Sequence, residues 1–116
     1  MKSIINFTTI KTILYREGFH ILVCSDLQVR KLSGFSPTHC REKNSINGLI
    51  IPDRNEIIIN KSLDLKERVL TLVHELIHLV DPKLSEKQTE ENAQSLYTKL
   101  SDRNLGFLEF AVSHSS

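Results

Sequence analysis

Residues 69–80 form an almost continuous apolar segment that contains two histidines and a glutamate, in the order His74-Glu75-Leu76-Ile77-His78. A helix that is apolar over most of its circumference belongs inside a domain. On such a helix His74 and His78 lie on one face, and Glu75 lies beside them. Burying imidazoles and a carboxylate costs free energy unless they are hydrogen-bonded or bound to a metal. The segment therefore predicts a buried helix with one chemically active stripe.

The spacing of the two histidines is that of a metal site. One helical turn places both imidazoles where they can reach a single tetrahedral Zn²⁺ at about 2.0–2.1 Å. Glu75 is then placed to take a proton from a water activated by the metal. We therefore predict a zinc-dependent metallopeptidase, with His74 and His78 as metal ligands and Glu75 as the general base.

Length and composition restrict the remaining possibilities. At 116 residues, with 40% hydrophobic and 25% charged residues, the chain predicts a single domain over residues 1–116. A net charge of +1 gives no reason to expect nucleic acid or an anionic membrane as a partner. Polar residues interrupt the apolar N-terminus, so we expect neither a signal peptide nor a membrane span, and a cytoplasmic location. Cys24 and Cys40 are too few for a disulfide framework and are expected to be free thiols.

Local patterns predict three elements and a loop before residue 46. Apolar residues at roughly helical spacing, followed by Gly18, predict a helix over 4–17. The apolar run 19–24 predicts a strand, and a capping signal after it predicts a short helical turn over 25–32. The glycine and proline in 33–45 predict a loop.

Residues 46–60 predict a β-hairpin, with strands over 46–51 and 56–60 joined by a four-residue turn. Because helices follow this hairpin, the fold class predicted is α+β, with a small sheet packed on the metal-site helix. We interpret strand 56–60 as a sheet edge with which an extended peptide substrate can pair; the alternative is an ordinary edge strand.

Capping signals predict an antiparallel pair of helices after the hairpin. Asp64 marks the start of the metal-site helix, and the Asp-Pro pair at 81–82 marks its end. Ser85 and Gln88 form a second capping box, which opens a helix that continues to about Leu100. The connection is short, so the second helix should fold back over the first. The apolar tail after it predicts a last short helix or strand.

The predicted metal site needs a third protein ligand, because catalytic zinc usually has three and a water. An antiparallel second helix brings its first turns opposite the histidines. Glu90 has the best depth and face for a ligand, whereas Glu86 lies at the very start of the helix and Glu91 points about 100° away from Glu90. If Glu90 is the ligand, Glu86 faces solvent or accepts a hydrogen bond from a histidine.

Peptide hydrolysis also needs a donor that stabilises the tetrahedral intermediate. Candidates are Tyr97 and His114, together with His39 and Arg103, although a tyrosine at this position is more often part of a core boundary. A second hypothesis concerns Cys40, whose thiolate could occupy an open zinc position and hold the enzyme latent; an ordinary loop cysteine is the alternative.

Three features of residues 46–100 occur together: the hairpin, the zinc-motif helix, and the segment Glu90-Glu91-Asn92-Ala93 on the next helix. In this combination the chain resembles the ImmA/IrrE-type family of gluzincin metallopeptidases, in a minimal single-domain form. The resemblance implies Zn²⁺ as cofactor, a peptide or protein substrate, and Glu90 of the Glu-x-x-Ala segment as third ligand. The chain departs from the family at Ile77, where Gly is usual, and at 96–97, where the family has an aromatic-Ala pair.

The alternative function is a catalytically silent, zinc-binding metallopeptidase-like domain that acts as a sensor or protein-interaction module. Glu75 favours the enzyme, because a purely structural zinc site has no need of that carboxylate. Structural sites are also more often closed by four protein ligands, several of them cysteine.

Overall fold

The computed structural model describes residues 5–35, 39–42 and 45–113, and for residues 35, 39–42 and 45 it describes the backbone alone. This part of the chain forms five α-helices and one four-stranded mixed sheet, which confirms the predicted α+β class. The helices are α1 (Phe7–Tyr15), α2 (Asp26–Leu32), α3 (Leu65–Val80), α4 (Glu86–Lys99) and α5 (Asp102–Ser113). The strands are β1 (His20–Cys24), β2 (His39–Glu42), β3 (Ser45–Ile51) and β4 (Glu56–Asn60).

The sheet has the strand order β1-β4-β3-β2. β3 and β4 pair antiparallel, with Ile50 opposite Ile57, and this confirms the predicted hairpin. β1 lies parallel to β4 on its other side, with Leu22 opposite Ile58. The interpretation of strand 56–60 as a sheet edge was therefore wrong. Its three consecutive isoleucines are all buried, as is typical of a strand covered on both faces.

The edge next to the hairpin is formed by β2, which pairs antiparallel with β3. Cys40 lies opposite Gly48, and a bulge follows between Cys40 and Arg41. The prediction of a loop throughout 33–45 was wrong for these residues. Their extended conformation depends on hydrogen bonding to β3, and a short polar stretch carries little strand signal of its own.

Helices cover both faces of the sheet. Alternate residues of each strand point to opposite sides, so the strands contribute side chains to a core on each face. A smaller core lies on the side of α2; its buried members are Val29, Ile46, Leu49, Ile51 and Ile58. A larger core lies on the other side and includes Ile50, Ile57 and Ile59 of the sheet together with residues of α1, α3, α4 and α5. α3 is thus held between the sheet and the other helices.

α3 lies close to the sheet at Gly48. A Cβ atom there would collide with Cγ2 of Thr71 and lie 2.8 Å from the carbonyl oxygen of Ile58. Glycine therefore lets Thr71 of α3 pack directly against β3.

The predicted capping signals are present at the helix pair. The Asp64 side chain accepts from the backbone N–H of Glu67 at 2.9 Å, and Ser85 and Gln88 form a reciprocal capping box at the start of α4. α1 is shorter than predicted, and Gly18 beyond its end adopts a left-handed φ of 74°. Within the described ranges, no helix combines the length and the apolar character that a membrane span requires.

Candidate metal centre

The metal-motif helix is buried along its whole middle. Every residue from 69 to 78 is buried, and the exposed fractions of His74, Glu75 and His78 are 3%, 0% and 8%. Leu72, Leu76 and their apolar neighbours fill the larger core. This confirms the predicted buried helix, and it leaves the histidine stripe to face the one remaining direction, toward α4.

The two histidines present the same ring nitrogen to each other. Nε2 of His74 lies 3.1 Å from Nε2 of His78, and the rings meet edge to face with their centroids 4.8 Å apart. Imidazoles one turn apart on a helix can adopt many relative orientations. Here the two nitrogens that could bind a metal converge on one point.

A carboxylate from α4 meets this pair. Oε1 of Glu86 lies 2.6 Å from Nε2 of His78, and Oε2 lies 3.4 Å from Nε2 of His74. Ligand atoms of His74, His78 and Glu86 all lie within 4.8 Å of one another, so the three residues could hold a metal ion.

Glu90 approaches from another direction. Its Oε1 lies 3.2 Å from Nδ1 of His74, and its Oε2 accepts from Nε2 of Gln94 at 3.0 Å. His78 contacts Glu86, and the earlier His74 contacts the later Glu90. Residue numbers therefore increase in opposite directions along the two helices, which confirms their antiparallel arrangement. Glu91 is exposed and lies outside the cluster of possible ligands. The support from Gln94 was not predicted, although its i,i+4 spacing from Glu90 would have allowed it.

The surroundings of His78 favour the neutral form of its ring. Burial and, next, the adjacent His74 lower the pKa of the His78 ring, and Glu86 offsets this only in part. A neutral imidazole is the form that binds metals.

The predicted auxiliary residues lie elsewhere or outside the described part of the chain. Tyr97 packs against the larger core, and Nζ of Lys66 lies 5.5 Å from the centroid of its ring. Arg103 is exposed. His114 and the side chains of His39 and Cys40 fall outside the described residues. Cys24 is a free, half-buried thiol, as predicted.

Comparisons of the chain with protein-family models, with curated proteins and with solved structures found no match. The chain offers two convergent imidazole nitrogens from the buried helix α3 and a carboxylate from the start of α4. This arrangement is suited to a divalent metal ion.

Proposed function

We propose that this chain is a zinc-dependent metallopeptidase that hydrolyses peptide bonds in a peptide or protein substrate. The observation that carries the proposal is the convergence of His74 Nε2, His78 Nε2 and the Glu86 carboxylate, on a helix that also carries the fully buried Glu75. The spacing of the two histidines in the sequence allows this convergence, and the side-chain distances are consistent with it.

The residues fit Zn²⁺ on two counts. Two ligands at about 2.0–2.1 Å from one tetrahedral zinc lie about 3.3–3.4 Å apart. The two Nε2 atoms are 3.1 Å apart and His74 Nε2 is 3.4 Å from Glu86 Oε2, whereas the 2.6 Å between His78 Nε2 and Glu86 Oε1 is a hydrogen-bond distance that would lengthen around an ion. Two imidazoles and one carboxylate are also the protein ligands of the thermolysin type of catalytic zinc site. His74 and His78 would hold the ion, and a carboxylate of α4 would complete the set.

When bound, Zn²⁺ supplies a Lewis acid that polarises a peptide carbonyl and lowers the pKa of a water molecule. Glu75 follows His74 directly and would accept a proton from the attacking water, then deliver it to the nitrogen of the leaving amine. Glu75 is fully buried, so its carboxylate is shielded from bulk water. The apolar packing of α3 holds Glu75 in a fixed relation to both histidines.

Exposure of the site on one side supports catalysis over a silent zinc site. The side chains of Glu86 and Glu90 are 65% and 50% exposed, whereas those of the two histidines are 4% and 8% exposed. The cluster is therefore open toward solvent on the side of α4, where a substrate can approach. Structural zinc sites are usually closed by four protein ligands.

The test combines metal analysis with hydrolysis of a peptide library by wild type, Glu75→Gln and the exposed control Glu91→Gln. We expect about one zinc per chain in all three proteins and hydrolysis by wild type and the control. Glu75→Gln should lose about 10²- to 10⁴-fold in rate, the usual contribution of a general base. Equal hydrolysis by wild type and Glu75→Gln would contradict the peptidase. Zinc binding without hydrolysis by wild type would favour the silent sensor or interaction domain.

A further inference from the structure

Glu86 and Glu90 contact opposite nitrogens of the same histidine. Oε2 of Glu86 lies 3.4 Å from Nε2 of His74, and Oε1 of Glu90 lies 3.2 Å from Nδ1. The two nitrogens of an imidazole point away from each other, so the two carboxylates cannot serve the same purpose. Only Glu86 is also in contact with His78.

The contact of Glu90 determines which nitrogen of His74 carries the proton. An ionised carboxylate can only accept hydrogen bonds, so Nδ1 of His74 must be the donor. The lone pair of that ring is then on Nε2, which faces His78 and Glu86. Gln94 donates to the other oxygen of Glu90 at 3.0 Å, so each oxygen of this carboxylate has a hydrogen-bond partner.

Glu86 lies where a third ligand belongs. Its two oxygens approach both Nε2 atoms, at 2.6 Å from His78 and 3.4 Å from His74. Nε2 of His74, Nε2 of His78 and the Glu86 carboxylate thus meet at one volume, where a cation could take the place of the proton shared between His78 Nε2 and Glu86. Glu90 is directed at the far side of the His74 ring and does not contribute to that volume.

We propose that Glu86 is the third protein ligand of the metal, and that Glu90 is a positioning residue that, with Gln94, holds His74 in the tautomer able to bind it. This assignment rests on the proposed metal site. It differs from the ligand set that family resemblance implies, in which Glu90 is the ligand. Carboxylates that accept from the second nitrogen of a ligating histidine fix its orientation and raise its basicity.

The experiment uses the full chain and the variants Glu86→Gln, Glu90→Gln and Glu91→Gln. Glu91 is on the same helix, is exposed and lies outside the cluster, so its variant controls for loss of a negative charge. Zn²⁺ affinity is measured by competition with a chromophoric chelator, and the ligand set by the visible absorption of the Co²⁺-loaded protein. Circular dichroism confirms that each variant is folded.

We expect Glu90→Gln to weaken Zn²⁺ binding by about 10- to 100-fold, the range for hydrogen-bond partners of a ligand. Its Co²⁺ spectrum should retain the wild-type bands, while the NMR signal of the His74 ring N–H shifts in the zinc-loaded protein. Glu86→Gln should weaken binding beyond about 100-fold, the upper end of that range, and should change the Co²⁺ bands. Glu91→Gln should behave as wild type.

Altered Co²⁺ bands in Glu90→Gln with unchanged bands in Glu86→Gln would overturn the assignment, as would equal losses of affinity in the two variants. Failure of wild type to bind Zn²⁺ or Co²⁺ would overturn the assignment and the proposed function together. Metal binding with the expected order of variants, but without peptide hydrolysis by wild type, would leave the ligand assignment intact and contradict only the peptidase.

Discussion

Asn60 and the pair His74 and His78 are buried polar side chains that differ in how their hydrogen-bonding groups are satisfied. Asn60 at the end of β4 is 1% exposed and uses all of its hydrogen-bonding capacity within the chain. It donates to Asp26 and to the carbonyl of Ile46, both at 2.9 Å, and accepts from the backbone N–H and the hydroxyl of Ser62. Donors and acceptors are balanced there without any added group.

The histidine cluster between α3 and α4 is not balanced in this way. His74, His78, Glu86 and Glu90 together bring more lone pairs than protons to a small volume. A cation could satisfy this excess of acceptors at the two buried histidines, while solvent also reaches the exposed carboxylates of Glu86 and Glu90. The comparison sets a polar group that stabilises the fold beside a cluster that we propose binds a metal, and the first two of the following experiments test that difference directly.

The largest expected effect is stabilisation of the histidine cluster by metal. A ligand that binds only the folded state at 1,000 times its Kd stabilises by about 4 kcal/mol. We expect Zn²⁺ to raise the Tm of wild type, a chelator to reverse the shift, and His78→Ala to abolish it. Thermal unfolding with and without Zn²⁺ measures this. An equal shift in His78→Ala would show that zinc binds elsewhere.

Removal of the Asn60 side chain should destabilise the fold by about 2–3 kcal/mol. The substitution Asn60→Ala breaks four hydrogen bonds and deprives the buried end of the β3–β4 pair of a donor. Urea unfolding measures the loss of free energy. The increase in stability on adding Zn²⁺ should remain that of wild type, and a reduced increase would show that the two clusters are coupled.

Enlarging Gly48 should destabilise by about 1–3 kcal/mol, since overpacking forces α3 away from β3. Gly106→Ala is the matched control, because a Cβ there meets nothing within 4 Å and lies in helix α5. In that position alanine should stabilise by about 1 kcal/mol. Unfolding curves for both variants test this, and a stabilising Gly48→Ala would contradict the close approach.

The smallest effect concerns pH. Hydrogen bonds from Asn60 and then from Arg30 lower the pKa of Asp26 below its ordinary value of 3.8. A carboxyl with a lowered pKa in the folded state contributes stability above pH 3.8 and loses it as pH falls toward the folded pKa. Asp26→Asn should therefore show a smaller drop in stability than wild type between pH 5 and pH 3, measured by urea unfolding. Identical drops would contradict this contribution.

Much of the fold could be predicted because its signals are local. The hairpin over 46–60 has two apolar runs around a turn, and helix α3 has an apolar circumference with a cap at Asp64. The short β2 strand and the central place of β4 could not be predicted in this way, because both depend on which strand a segment meets across space. β1 pairs with β4, although α2, β2 and β3 lie between them in the sequence.

The candidate site also combines features that local sequence signals predict with features that depend on contacts across space. Spacing alone places His74, Glu75 and His78 on one helix, and the short connection at 81–82 returns acidic residues toward them, because helix periodicity and chain length leave little freedom. Only the tertiary structure decides that Glu86 meets Nε2 while Glu90 meets Nδ1. That choice depends on the relative height and rotation of two packed helices, which no local pattern in either helix encodes.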